Sequence, residues 1–334
     1  MLPSPPPHFI KFLTSTGLLK TADNPRFFPL EGGVSSDIWR VDLKAQSICV
    51  KSALSKLKVA SDWYAPIERN AFEVRWMETA NQIVPGSTPT VLASNEASGM
   101  FAMDYLEPAI FPNWKDELRV GRADPAFAAE IGRIIAKIHR DTANDPDVAT
   151  RFQTDDIFHA IRLEPYLEAT ANARPEVSGP LMALSKTTAS HKTALVHGDV
   201  SPKNILVGAD GPKFLDAECA WYGDPAFDLA FCLNHLMLKC LWAPDFKEAF
   251  LTCFTSMSEA YFANAEAGLK DIERRTAHLL PGLFLGRVDG KSPVEYLTDT
   301  NDKNKVRRVA TELLLNPVEN LSDIQQAWGR EIGN

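Results

Sequence analysis

The apolar positions of this chain change period along its length. Across residues 27–50 they fall in short runs around a Gly/Ser turn, Glu31-Gly32-Gly33-Val34-Ser35-Ser36-Asp37, which reads as β structure. A short helix over residues 8–17 precedes it. The run Ser47-Ile48-Cys49-Val50-Lys51 is a strand that closes on a lysine. Across residues 66–80 the period shifts to 3.6: Ile67, Ala71, Val74 and Met77 recur on one face and charged residues fill the other. Residues 89–93 and 99–106 return as strand, turn and strand. Beyond them the chain turns helical. Asp124-Pro125 starts a helix with Ala128, Ile131, Ile134, Ile135 and Ile138 on its apolar face, ending at His139. Further helices are expected over residues 158–171, 179–191, 229–239, 246–267 and 272–280. Between the second and third of these lie two short strands, Ile205-Leu206-Val207 and Lys213-Phe214-Leu215, joined by Gly208-Ala209-Asp210-Gly211-Pro212.

Composition narrows the function classes. At 334 residues, 45% hydrophobic, the chain is long for one domain and comfortable for two lobes. With 43 acidic against 35 basic residues, a net charge of -8 and no long basic block, binding to a nucleic-acid backbone is not expected. The odd set Cys49, Cys219, Cys232, Cys240 and Cys253 contains no C-x-x-C pair and reads as reduced core residues. The opening MLPSPPPHFIKFL is broken by prolines and does not read as a signal peptide, and no apolar run is long enough to span a membrane. The expectation is a cytoplasmic enzyme without a membrane partner.

Candidate chemistry is concentrated between Leu195 and Asp228. His197-Gly198-Asp199 follows the apolar pair Leu195-Val196, Asn204 comes five residues after Asp199, and Asp216 ends the second short strand. Asp, Asn and Asp at such positions offer the hard oxygen donors that Mg²⁺ takes while keeping several waters. The spacing H-x-D-x-x-x-x-N followed by a second Asp is the catalytic and metal loop of the kinase template. The segment resembles the aminoglycoside phosphotransferase-like small-molecule kinases, which read H-G-D-x-x-x-x-N where protein kinases read H-R-D. Trp63-Tyr64-Ala65-Pro66 with Arg69 adds a looser similarity to methylthioribose kinases.

The resemblance implies an α+β, protein-kinase-like bilobal fold. Its small β-rich lobe would comprise residues 1–106 with the hinge, and its larger, mainly helical lobe residues 107–334. It implies ATP and Mg²⁺, with the γ-phosphate moved to a hydroxyl of a small molecule. That acceptor is sugar-like or hydroxyacyl, with an aminoglycoside as the other option. Asp199 would be the catalytic base; Asn204, Asp216 and Glu218 would hold the metal. On the nucleotide side, Lys51, with Lys56 and Lys58 as loop-borne competitors, would meet phosphates, and Glu73, with Glu68 as second choice, would orient it. Ser35 and Ser36 would belong to the phosphate-facing turn, and Asp104, Tyr105 and Leu106 would line the base site. In a strand-like stretch Asp216 and Glu218 face the same way and serve one metal cluster. Asp228 is expected to open a helix and anchor the loop; His139 is expected to be structural. One departure is Ser201 where protein kinases carry a lysine, with Lys203 two further on. Arg274, Arg275 and Arg287 fall where related kinases form the acceptor pocket. A non-catalytic nucleotide-binding module and a metal-dependent hydrolase are the competing readings.

Overall fold

The computed structural model describes residues 5–20, 23–30, 35–58, 63–265 and 271–333. Five antiparallel strands form the first lobe: β1 (Arg26–Leu30), β2 (Ser36–Asp42), β3 (Ser47–Ala53), β4 (Val91–Asn95) and β5 (Met100–Asp104), in the order β1-β2-β3-β5-β4. Helix α1 (Pro7–Ser15) opens on a proline at its first position and buries Phe9, Phe12 and Leu13 against Trp39, Val41, Ile48 and Val50 of the sheet. Helix α2 (Arg69–Ile83) covers the opposite face beside β4 and β5. The pleat therefore sorts β3 by alternation. Ile48 and Val50 go to the α1 side, while Cys49 and Lys51 go to the α2 side and the cleft.

The rest of the chain is mainly helical, with one continuous core around the nearly wholly buried helix Ala226–Trp242. Asp124 caps the helix Pro125–Asp141 by accepting from the Ala126 N–H at 2.9 Å, and that helix packs on Lys247–Asn264. Two short two-stranded ribbons break the helical run: β6 (Ala194–Val196) pairs with β9 (Trp221–Gly223), and β7 (Ile205–Gly208) pairs with β8 (Gly211–Phe214). This is the α+β bilobal architecture expected from the resemblance.

Three details differ from the sequence reading. The segment His159–Glu168 is a π-helix, not an α-helix, with Pro165 inside it. Pro165 has no N–H to give the helical ladder, and a wider turn accommodates that loss. Helix Ile272–Asp289 continues through Pro281 because Leu279, Leu280, Leu283 and Phe284 are all buried, and packing outweighs the broken bond. Helices Thr300–Leu315 and Leu321–Gly333 extend the helical lobe beyond the elements the sequence pattern predicts. No helix of the described residues is long and apolar enough to cross a membrane. All five cysteines are free and buried.

Candidate functional site

One helix face and one strand end bring the first group of charges together. On α2, Arg69, Glu73, Met77 and Ala80 share the buried face at helical spacing. Glu73 Oε2 lies 2.7 Å from Lys51 Nζ, and Lys51 also pairs with Asp216. Burial works against the Lys51 charge, but Asp216 and Glu73 outweigh it and raise its pKa above the ordinary lysine value. Burial would raise the Asp216 carboxyl, but Lys51 and Lys203 hold it well below the ordinary carboxylate range. Burial pushes Glu73 up to about 7, with Lys51 offsetting only part of it.

A pH dependence follows with a definite sign. Between the unfolded glutamate value of 4.5 and about 7, the folded chain keeps a proton that the unfolded chain releases. The Glu73 contribution to stability therefore falls as pH rises through that window, and Glu73→Gln removes that contribution from the profile. Urea unfolding at a series of pH values checks this; parallel profiles for the two proteins would contradict it.

Arg69 is the most heavily bonded side chain of the cleft. Fully buried, it donates from Nε to Glu218 Oε2 at 3.0 Å. Its Nη1 donates to the Ala65 and Pro66 carbonyls at 3.1 and 2.6 Å, and its Nη2 to those of Ser35 and Leu54. The fork thus joins the first lobe to Glu218 of the second.

The loop after β6 is held by backbone bonds at each step. Gly198 has φ +78, and a Cβ there would come within 2.6 Å of the Cys219 carbonyl oxygen, so glycine fits the turn. Asp228, in the first turn of Ala226–Trp242, accepts from the His197 N–H at 2.7 Å and the Gly198 N–H at 2.8 Å. His139 Nε2 lies 3.2 Å from the same carboxylate, and its Nδ1 lies 2.8 Å from the Tyr261 hydroxyl. Asp228 and His139 are thus architectural, as expected. The Asp199 N–H donates to His197 Nδ1 at 3.1 Å, which places the imidazole proton on Nε2, where it is donated to the Leu215 carbonyl at 3.1 Å. Burial pushes the His197 pKa below its ordinary value, in keeping with this neutral form. The Leu215 N–H in turn donates to the Asn204 carbonyl at 2.9 Å. Asp199, Asn204 and Asp216 are therefore linked through one loop-to-loop seam.

Asp216 sits at φ +64, the left-handed region, at the point where the chain leaves β8. The stretch 215–220 is a turn, so the expected strand alternation does not operate there. Asp216 and Glu218 still line one cleft, but Asp216 meets Lys51 and Glu218 meets Arg69.

Asp199 is buried, and its Oδ2 lies 2.9 Å from Arg162 Nη2 and 3.3 Å from Lys203 Nζ. Asp199 raises the Lys203 pKa above its ordinary value. Arg162 also donates from Nε to the Gly198 carbonyl and from Nη1 to Ile161 O at 2.6 Å. Asp199 Oδ1 makes no hydrogen bond among the described residues. Sequence reasoning missed Arg162. The sequence offers little signal for it: Arg162 lies between Ile161 and Leu163, but His159 and Glu164 are close by and make it look like one of several charges on a helix.

Lys51, Glu73, Arg69, Arg162, Asp199, Lys203, Asn204, Asp216 and Glu218 all line one cleft of 910 Å³ between the lobes. Ser35, Asp104, Tyr105 and Leu106 line it too. Asp104 accepts from the Thr90 N–H at 3.2 Å, and Tyr105 lies under the Arg40 guanidinium at 4.7 Å. Ser36 is not among the cleft-lining residues: it begins β2, and its buried hydroxyl has no partner among the described residues. Residues 31–34 of the Gly/Ser turn lie outside the described residues. Of the three arginines, Arg287 reaches the cleft; Arg275 pairs with Asp224 at 3.1 Å and Arg274 lies near Asp271 and Glu319 at 3.7 Å, both away from it. Trp221 stacks on Phe158 and Trp242 on Tyr296, which takes both into packing.

Comparison with known proteins agrees with this geometry. A methylthioribose kinase from Pectobacterium carotovorum subsp. carotovorum (strain PC1) is 26% identical over 227 residues, covering 59% of this chain and 55% of the relative. A methylthioribose kinase from Geobacillus kaustophilus (strain HTA426) is 25% identical over 222 residues, covering 59% and 56%. The chain spans little more than half the length of these relatives. Among solved structures, a choline/ethanolamine kinase family protein from Mesorhizobium loti superposes with a TM-score of 0.52 at 16% identity, covering 96% of this chain and 98% of that one. A macrolide 2'-phosphotransferase from Brachybacterium faecium gives 0.51 at 18% identity, covering 93% and 98%. These structures share the fold. The family model described as the phosphotransferase enzyme family matches residues 27–261, and the chain belongs to that family.

Proposed function

We propose that this chain is an ATP-dependent small-molecule kinase that moves the γ-phosphate to a hydroxyl of a sugar-like or hydroxyacyl acceptor. The observation that carries this reading is the convergence of Asp199, Asn204, Asp216 and the Lys51–Glu73 pair on one interlobe cleft. Family membership and the methylthioribose kinases among its relatives support it.

Among the described residues no group of three or more His, Cys, Asp or Glu side chains forms a metal cluster, so the fit of Mg²⁺ rests on the donor chemistry of the loop. It is a suitable one. Asp216 is held ionised, and the Asn204 amide donates Nδ2 to the Asp199 carbonyl at 3.1 Å, leaving Oδ1 as its available end. Asn204, Asp216 and the second oxygen of Glu218 would hold the ion, which when bound neutralises charge on the phosphates.

The chain's own residues do the rest. Lys51, held by Glu73, binds phosphate oxygens of the nucleotide, with Ser35 at the same end and the Asp104–Leu106 backbone against the base. Asp199 Oδ2 is fixed by Arg162 and Lys203, so Oδ1 is the oxygen that receives the acceptor hydroxyl. As that hydroxyl oxygen bonds to the γ-phosphorus, its proton passes to Asp199 and the bond to the bridging oxygen breaks, releasing ADP. Lys203 sits where it stabilises charge on the group in transit.

The test is a purified-enzyme reaction with ATP, Mg²⁺ and a panel of small alcohols, sugars and hydroxy acids, following ADP, free phosphate and phosphorylated product by mass. The reading expects ADP matched by a phosphomonoester. ADP matched by free phosphate would make the chain a hydrolase, and nucleotide binding without ADP would make it a binding module.

A further inference from the structure

Side-chain contacts lead outward from Asp199 to polar groups that the transfer described above does not use. Arg162 lies over the rings of Tyr166 and Phe231, at 5.7 and 5.6 Å. Phe231 in turn meets Tyr166 at 5.4 Å and His235 at 5.3 Å. Arg287 reaches the same floor from helix Ile272–Asp289, with its guanidinium 5.6 Å from the Tyr166 ring. Both Arg287 and His235 line the cleft, with only 8% and 5% of their surface exposed.

Arg287 is incompletely satisfied. Its Nη1 donates to the Tyr166 hydroxyl at 3.2 Å, to Ser292 Oγ at 3.0 Å and to the Ser292 carbonyl. Its Nε is buried without a partner, as is His235 Nε2, and Nη2 makes no hydrogen bond among the described residues. No carboxylate of the described residues pairs with it. The other buried arginines differ: Arg69 has Glu218 and Arg162 has Asp199. A buried guanidinium facing only neutral oxygens is costly unless an anion completes it.

The acidic groups of the cleft show the opposite balance. Glu73 and Asp216 share Lys51, Glu218 has Arg69, Asp199 has two cations, and Glu295 pairs with Lys115. Asp104 and Asp116 have no ion pair among the described residues: Asp104, half-buried, accepts from the Thr90 N–H, and Asp116 is exposed at the rim. A cationic acceptor would find no buried carboxylate awaiting it. An anionic one would find Arg287.

Resting on the kinase reading, we propose that the acceptor carries a carboxylate or phosphate beside the hydroxyl that is phosphorylated, and that Arg287, with His235 as a second donor, receives that group. Arg287 lies one layer of side chains beyond Asp199, which puts the anion on the acceptor side of the transfer and not on the nucleotide.

The test uses the full chain with a non-hydrolysable ATP analogue and Mg²⁺, titrated calorimetrically with matched sets. These are small hydroxy acids and sugar phosphates, their neutral amide or unphosphorylated counterparts, and aminocyclitols. Turnover with ATP is followed on the same sets. Binding and phosphorylation are expected for the anionic members, and whichever of the two anionic sets responds identifies the group. Arg287→Gln should weaken that binding about tenfold or more and raise KM with little change in kcat, while Arg287→Lys recovers part of the loss. Affinity for the ATP analogue should be unchanged in both variants, which also reports that they fold. The proposal is overturned by equal binding of neutral or amine-bearing counterparts, by wild-type affinity in Arg287→Gln, by loss of nucleotide affinity in its place, or by no binding of any anionic member. Anion binding without phosphorylation would keep this assignment and remove the kinase reading. Phosphorylation of neutral or cationic acceptors alone would do the reverse.

Discussion

Replacing Asp199 by Asn should lower kcat by about 10²- to 10⁴-fold while leaving nucleotide affinity within a few-fold of wild type. An amide keeps the size of the carboxylate but cannot take the proton of the attacking hydroxyl. It also places a neutral group opposite Arg162 and Lys203, 2.9 and 3.3 Å from the present Oδ2. Both cations then lose their counter-charge, and the fixed orientation of the side chain goes with it. Steady-state ADP formation with a competent acceptor, alongside nucleotide titration, checks the prediction. A variant that retains more than a tenth of wild-type kcat would remove Asp199 from the role of base. One that loses nucleotide binding as well would show that Asp199 holds the cleft together and does not act on the acceptor.

Arg69→Met should destabilise the folded chain by about 3–5 kcal/mol, because it strands a buried carboxylate and leaves several backbone carbonyls without their donor. Glu218, Ala65, Pro66, Ser35 and Leu54 all lose a partner. The cost has a separable part. Adding Glu218→Gln to Arg69→Met removes the stranded charge and should restore stability relative to the single variant. Denaturant midpoints of the four proteins in the cycle measure this. A loss below about 1 kcal/mol for Arg69→Met, or strictly additive effects in the double variant, would mean that the fork is not the tie between lobes described above.

Much of this site was legible because its chemistry is local in sequence. His197, Gly198, Asp199, Asn204 and Asp216 lie within one short span, and their order alone suggested what the loop is for. Lys51 was legible through strand alternation and Glu73 through helical spacing, since both periodicities are intrinsic to the backbone. The partners of these residues were not. Arg162 reaches Asp199 across 37 positions, and nothing in the composition of a π-helical turn announces that contact. The pairing of Arg69 with Glu218 spans 149 positions. The sequence pattern puts Glu218 on a strand with Asp216, whereas β8 ends at Phe214 and the backbone at Asp216 is left-handed. Aspartate tolerates that conformation better than most side chains, and the bonds of Leu215 and of Lys51 hold the chain on either side of it. Pro281 misled in the other direction: the local rule stops a helix there, and burial of its neighbours on both sides carries it on. The last two helices carry their signal in Val306, Val309, Ala310 and Leu313 of the first and in Leu321, Ile324 and Trp328 of the second, each set spaced as one buried face. Arg274, Arg275 and Arg287 are indistinguishable as sequence; only the path of their helix turns the third toward the cleft.

The most direct measurement of the central claim is a crystal structure of the protein with a non-hydrolysable ATP analogue and Mn²⁺ in place of Mg²⁺. The account predicts an anomalous peak in contact with Asn204 and Asp216, terminal phosphate facing Asp199 Oδ1, and the base against residues 104–106. A metal peak elsewhere, or a nucleotide held outside the cleft that Lys51 and Asp199 share, would contradict it.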